Sequence, residues 1–319
     1  MTRFERIHVH LPILEHFANH PDENRLGDRE FVILEDNDAL LAALPEIEVL
    51  LAFRPPPGHW AEAEKLKFIQ VPGAGADSLT GQPDLSPDVA ICNASGSHEP
   101  EMSEFVIAML HAVTYRVPQL IDQQRAHRWR SQLIPGRAID GGTMCILGLG
   151  TIGANVARRA AALGMNVVGV RHSGKPVDHV STVVTPDRRL EVISGATALV
   201  IITPLTDETR GLVGAEELAA LAPGAVVVDV SRGGVMDIDA LVDALDSRHV
   251  FGAAVDVYET EPLPEDNPLW EQEHLLVTPH TAGSSSDYMR RIASMFADNL
   301  EAFERGETPP GLVNRALGY

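Results

Sequence analysis

Short apolar runs alternate with polar, helix-patterned stretches along most of the chain. Residues 7–11, 31–34, 49–53 and 68–71 have the length and composition of strands, with helical patterning over 39–44 and 60–65. Strands that alternate with helices predict βαβ units and a parallel sheet. A helix is expected over 101–115, with Phe105, Ala108, Met109 and Ala112 on one face. A second, polar and arginine-rich helix is expected over 118–129. Further apolar runs fall at 166–170, 198–202, 225–230, 252–257 and 275–278. Residues 286–305 form an amphipathic pattern, with Ile292, Met295, Phe296, Leu300 and Phe303 at helical spacing. That last helix is expected to return to the first domain and make it discontinuous. The predicted division is 1–97 plus 286–319, and 98–285.

The second set of strands opens on a glycine-rich turn. An apolar run from Met144 leads into Gly148-Leu149-Gly150-Thr151-Ile152-Gly153, then an alanine-rich helical segment over 155–164. In a strand–turn–helix context this spacing fits a dinucleotide. Gly148 allows the bend, Gly150 lets backbone approach a pyrophosphate, and Gly153 lets helix and strand pack closely. N–H groups at Thr151 and Ile152 would then point at the phosphates. An ordinary βα turn has the same glycines, but here the flanking strand and helix are both present. In NAD sites an acidic residue stands about twenty residues further on, against the ribose. Here the next strand ends in Arg171-His172-Ser173-Gly174-Lys175. A guanidinium and a hydroxyl suit a 2′-phosphate that a carboxylate would repel, so NADP(H) is the expected cofactor. His172 fits a stacking role or a solvated loop equally.

Composition narrows the setting. The 319 residues carry a formal charge of −20, and lysine occurs only at Lys65, Lys67 and Lys175. Such a surface repels nucleic acid and anionic membranes, so neither is an expected partner. It fits either an ordinary acidic protein or one adapted to high salt. No apolar run is long enough to span a membrane, and the N-terminus lacks a signal-peptide core; a cytoplasmic setting is expected. Cys92 and Cys145 lie in apolar runs and read as buried thiols rather than a disulfide or metal pair. No metal site is expected.

The strand ends supply chemistry. Arg232, Glu261 and His280 follow the last three strands, where a parallel sheet lines its ligand crevice. An arginine fork binds a carboxylate and polarises a neighbouring carbonyl. A histidine gives a proton to the oxygen as hydride reaches carbon, and a glutamate beside it favours its protonated form. Each residue alone also fits a structural use; the three together suit reduction of a 2-oxo acid. Gly73-Ala74-Gly75-Ala76-Asp77, after the fourth strand, offers backbone N–H groups for an anion.

These motifs resemble the D-isomer-specific 2-hydroxyacid dehydrogenase family over nearly the whole chain. The resemblance rests on the glycine turn, on Thr203-Pro204-Leu205-Thr206-Asp207-Glu208-Thr209, and on Val230-Ser231-Arg232-Gly233-Gly234. It rests further on Asp256-Val257-Tyr258-Glu259-Thr260-Glu261-Pro262-Leu263-Pro264 and Thr278-Pro279-His280-Thr281-Ala282-Gly283. The stretch over 68–77 is most similar to the glyoxylate/hydroxypyruvate reductase branch. The resemblance implies an α/β fold of two Rossmann-like domains, each a parallel sheet flanked by helices, with the active site in the cleft between them. It implies that Arg232 binds the substrate carboxylate and carbonyl, that His280 is the acid–base group and that Glu261 pairs with it. The backbone of Ala74 and Gly75 would hold the carboxylate, and Arg54 would touch substrate. Asp256 would meet the nicotinamide carboxamide, Met102 would pack near that ring, and Thr203 and Pro204 would lie against the adenosine half. Val230, Ser231 and Gly283 are placed on the cofactor too. A homodimer is implied, and the polar helix over 118–129 fits either its arm or a solvated surface. Two departures stand out: Arg171 replaces the usual cofactor aspartate, and Asp229 stands where asparagine is common. Glutamate rather than glutamine at Glu261 argues against formate. No long extension follows the last helix, so no regulatory domain of the phosphoglycerate-dehydrogenase type is expected. Within the fold, a nucleotide-sensing scaffold and an NAD-preferring enzyme are the alternatives to an NADP(H)-dependent 2-oxo acid reductase.

Overall fold

The computed structural model describes residues 3–10, 25–26, 29–53, 55–73, 75–129, 135–285 and 287–315. The chain divides into two compact units, Met1–His98 with Ser285–Tyr319, and Glu99–Ser284.

The first unit holds a five-stranded parallel sheet. Its strands are β1 (Arg6–His10), β2 (Glu30–Ile33), β3 (Val49–Ala52), β4 (Phe68–Gln70) and β5 (Ala90–Cys92), in the order β2-β1-β3-β4-β5. Every residue of β3 and β4 is buried, as a parallel sheet covered on both faces requires. Helix α1 (Asn37–Ala43) starts where Asp36 accepts the Ala39 N–H at 2.8 Å. Only a short 3-10 turn, Trp60–Glu62, forms in the expected helical stretch over 60–65, after His59 enters the left-handed region. A one-turn helix α2 (Asp77–Thr80) follows β4. The long C-terminal helix, Tyr288–Glu304, buries Ile292, Ala293, Phe296, Ala297 and Leu300 on this unit. Phe296 meets Phe68 with ring centroids 6.2 Å apart. Buried Asn299 donates to Gln70 Oε1 at 2.9 Å and accepts the Gly311 N–H at 2.7 Å, stitching the chain end to the sheet.

The second unit begins with α3 (Glu99–Thr114) and α4 (Val117–Arg125). Helix α3 buries Val106, Leu110 and Val113. This face is offset from the one expected: Ala108 is exposed, and Phe105 and Met109 pack only partly against the core. Helix α4 ends at Arg125 rather than reaching residue 129, because His127 turns to φ +51°.

The seven parallel strands that follow are β6 (Thr143–Leu147), β7 (Asn166–Val170), β8 (Thr182–Val184), β9 (Ala198–Ile201), β10 (Ala225–Asp229), β11 (Val250–Val255) and β12 (Leu275–Val277). Their order is β12-β11-β10-β9-β6-β7-β8. The direction of winding reverses between β6 and β9, where doubly wound sheets bind ligands at the strand ends. Helix α5 (Thr151–Ala162) buries Gly153, Val156, Ala157 and Ala160 against the face shared with α3. Helices α6 (Arg189–Ile193), α7 (Ala215–Ala220) and α8 (Ile238–Asp246) accompany the opposite face. Tyr288–Glu304 is α9 in chain order. Both cysteines are buried and free, and burial pushes each thiol up to about 12. Among the described residues no helix is long and apolar enough to cross a membrane, and no cluster of His, Cys, Asp or Glu could hold a metal.

Candidate active site

The glycine turn joins β6 to α5 at the reversal of the sheet. Gly148 adopts φ +106°, a left-handed conformation that glycine takes without strain. Gly153 lies so close to the turn that a Cβ there would stand 2.2 Å from the Gly148 carbonyl oxygen. Around Gly150 an added Cβ would meet nothing within 4 Å, and no side chain caps α5. The helix thus starts without a side-chain cap and with open space at Gly150, features that suit a phosphate. Across the switch point, the Thr203 hydroxyl is buried with no hydrogen-bond partner among the described residues. Pro204 opens a loop held by Thr209, whose Oγ1 donates to the Pro204 carbonyl at 2.6 Å. An open cradle and an unsatisfied hydroxyl both fit a dinucleotide.

The next strand end carries the candidate ribose contacts. Arg171 donates its N–H to Val184 at 3.0 Å, and Gly174 closes a turn onto the Arg171 carbonyl at 2.9 Å. Arg171 is half-buried, while His172, Ser173 and Lys175 are exposed. Met102 sits in the first turn of α3, partly buried against the core. Val230 is 3% exposed and packs into that same core. Gly283 lies in the turn that follows Ala282.

Three neighbouring strands, β10, β11 and β12, bring the chemistry together. After β10, Arg232 donates from Nη1 to the Ser231 carbonyl at 2.7 Å. After β11, Glu261 accepts the Tyr258 N–H on Oε1 at 3.1 Å. After β12, His280 places Nδ1 2.8 Å from Glu261 Oε2. The carboxylate accepts, so Nδ1 carries the proton in this pair and Nε2 is the nitrogen left for another partner. The Glu261–Pro262 peptide is cis. His280 adopts φ +53°, an uncommon conformation for a side-chain-bearing residue.

Asp256 holds that histidine loop. Its Oδ1 accepts from Thr278 Oγ1 at 2.6 Å and from the Thr281 N–H at 3.0 Å, and its Oδ2 accepts the Ala282 N–H at 2.9 Å. Its carbonyl accepts the His280 N–H at 3.0 Å. The motif alone did not reveal this bracing role. Asp256 is 2% exposed, and both carboxylate oxygens are engaged by its own chain. Asp229 is equally buried and accepts Ser231 Oγ at 2.5 Å and the Ser231 N–H at 2.9 Å. Burial, aided by the charge of Asp256, pushes the Asp229 carboxyl up to about 7 against the pull of Ser231. Burial also raises the Tyr258 phenol, whose hydroxyl donates to the Val255 carbonyl at 2.7 Å.

Of the expected substrate contacts in the first unit, Gly75 lies in the loop after β4, beside Gly73, whose carbonyl accepts the Ala94 N–H at 2.9 Å. Ala74 and Arg54 lie outside the described residues.

Known proteins resemble this chain in sequence and fold. A glyoxylate reductase of Korarchaeum cryptofilum is 32% identical over 315 residues, 96% of this chain and 92% of that one. A D-3-phosphoglycerate dehydrogenase of Mycobacterium tuberculosis is 33% identical over 91% of this chain, which spans only 56% of its length. The solved NADPH-dependent glyoxylate/hydroxypyruvate reductase of Sinorhizobium meliloti, in complex with NADP and sulfate, superposes with a TM-score of 0.86. It is 27% identical, with 99% of this chain and 100% of that one covered. Residues 107–282 match the model of the NAD-binding domain of D-isomer specific 2-hydroxyacid dehydrogenases, and the chain belongs to that family.

Proposed function

We propose that this protein is an NADPH-dependent reductase of a small 2-oxo acid, with glyoxylate and hydroxypyruvate as the first candidates. The observation that carries the reading is the 2.8 Å contact of His280 Nδ1 with Glu261, one strand away from Arg232. Arg232 would grip the substrate carboxylate and polarise the adjoining carbonyl. His280, held by Glu261 through Nδ1, would give a proton from Nε2 to the carbonyl oxygen and take it back in the reverse direction. The glycine turn, the α5 N-terminus and Thr203 would hold the dinucleotide, which when bound supplies the hydride. Arg171, with Ser173 and Lys175 beside it, would bind the 2′-phosphate, which is the basis for preferring NADPH over NADH.

We extend the reading to a homodimer. Helix α4 buries none of its residues and leaves Val117, Leu120 and Ile121 between 37% and 46% exposed on adjacent turns. An apolar stripe of this kind is what a second copy would cover, and light scattering decides it.

Initial rates for a panel of 2-oxo acids with each cofactor test the reading. NADPH should exceed NADH in kcat/KM, and Arg171→Ala should cut the NADPH value about ten- to hundredfold, the worth of charge-assisted hydrogen bonds, while sparing NADH. A wild type that prefers NADH refutes the cofactor assignment. Absence of turnover with every acid and either cofactor refutes the enzyme assignment in favour of a nucleotide-sensing scaffold.

A further inference from the structure

Asp229 is the one polar residue of β10, whose other positions are alanine and valine. It is 2% exposed, and the ionised group acting on it is another acid, Asp256. Its contacts lead straight to Arg232. Asp229 Oδ1 takes both the N–H and the hydroxyl of Ser231, and the Ser231 carbonyl takes Arg232 Nη1. On the far side of the arginine, Gly233 presses against the backbone of Tyr258 and Glu259. Arg232 thus sits in a turn whose preceding residue is held by a buried acid and whose following residue abuts neighbouring backbone.

The groups around the acid are few. From the end of β11 come Asp256, whose N–H donates to the Asp229 carbonyl at 2.9 Å, and Tyr258, whose hydroxyl is committed to Val255. The paired end of β9 brings Ile201, Ile202 and Thr203, none of them ionisable. The core cluster on the α8 side of the sheet offers Val213, Val235 and Met236. The cation nearest along the chain is Arg232 itself.

We propose that Asp229 is a positioning residue for Arg232, and that its ionisation weakens the hold of the site on an anionic substrate. The proposal rests on the reading that Arg232 receives the substrate carboxylate. As the neutral acid, Asp229 still accepts both Ser231 bonds, so the turn keeps its shape and the guanidinium charge is unopposed. Once ionised, it places a second anion beside Asp256 at the base of the turn that carries Arg232 and offsets part of the charge that the substrate would meet. Burial sets this proton near neutrality, up to about 7. The opposing charge is felt alike by bound substrate and transition state, so the effect falls on KM rather than kcat. Asparagine would keep an acceptor for Ser231 and remove the ionisation.

The test is KM and kcat for glyoxylate with saturating NADPH from pH 5.5 to 8.5, in wild type, Asp229→Asn and Asp229→Ala. All three proteins share every other side chain, so differences between them isolate Asp229. The wild-type KM should rise about three- to tenfold more than that of Asp229→Asn across this range, the scale of one partly screened charge, with kcat tracking between the two. Asp229→Ala should raise KM at every pH, and the asparagine variant should restore it. Parallel KM profiles for wild type and Asp229→Asn overturn the proposal. If Asp229→Ala does not fold, as judged by lost NADPH binding, the comparison with asparagine still decides. If the wild type reduces no 2-oxo acid, the functional reading fails separately. Calorimetric binding of oxamate with NADPH then decides the matter: affinity that falls with pH only in the wild type supports the proposal, and parallel profiles or no binding overturn it.

Discussion

The backbone of Gly233 lies against Tyr258 so closely that a Cβ at Gly233 would stand 2.1 Å from the Tyr258 carbonyl carbon. The turn that presents Arg232 is thereby pressed onto the loop that leads to Glu261. Gly233→Ala must push the two apart, because the obstacle is backbone and cannot rotate away. We expect a loss of about 2 kcal/mol or more in stability, in the range of overpacked cores, and a larger proportional loss in kcat/KM than in cofactor affinity. Thermal unfolding and steady-state kinetics check this; an alanine variant with wild-type kinetics would show that the contact is not needed.

The Glu261–His280 contact should matter to turnover and not to nucleotide binding. His280→Ala is expected to lower kcat about a hundred- to ten-thousandfold, the usual worth of a general acid, with NADPH affinity within about twofold. Glu261→Gln should fall between it and the wild type, since the imidazole loses its anionic partner. Loss of nucleotide binding in His280→Ala would instead mark a structural histidine.

Two glycines of one turn should fail in opposite ways. Gly153→Ala drives a methyl group to within 2.2 Å of the Gly148 oxygen, so it should destabilise the unit by about 1–3 kcal/mol. Gly150→Ala meets no protein atom within 4 Å. It should leave the melting temperature nearly unchanged and raise the KM for NADPH. Equal stability losses in the two variants would contradict an open cradle at Gly150.

Asp229 also links stability to pH. Its carboxyl is raised from 3.8 to about 7 in the folded chain, so the native state holds the proton more tightly than the unfolded state. The wild type therefore loses stability as pH rises from about 4 to about 7, and the loss is complete above that. Asp229→Asn lacks this penalty. It should be the more stable protein at pH 8, by at most about 4 kcal/mol for a shift of about three units, with the gap closing towards pH 4. Denaturant midpoints at pH 4.5, 6 and 8 measure the gap; one that does not narrow on acidification sinks the assignment.

The strand series was legible because strands such as β3, β9 and β10 are buried on both faces and read as unbroken apolar runs. The same logic missed β8, a three-residue edge strand with one buried position, and the short helices α6 to α8. The face of α3 was misplaced because Ala108 is small enough to suit either side. Arg232, Glu261 and His280 could be named from strand ends, since a parallel sheet gathers those ends. What the residues around them do was not legible. The grip of Asp256 on Thr278, Thr281 and Ala282 joins positions about twenty-five apart in the chain, and the burial of Asp229 depends on neighbours that only the packed sheet supplies.

The seven-stranded sheet separates two tasks by strand order. Arg171 follows β7, on one side of the reversal between β6 and β9; Arg232, Glu261 and His280 follow β10, β11 and β12 on the other. The turn over 171–174 is fastened by backbone hydrogen bonds, and the side chains of His172 and Ser173 are exposed. On the proposed reading, substitutions there would change which electron donor is accepted without disturbing the residues assigned to the proton. Redox currency and reaction chemistry would then evolve, or be engineered, as separable modules.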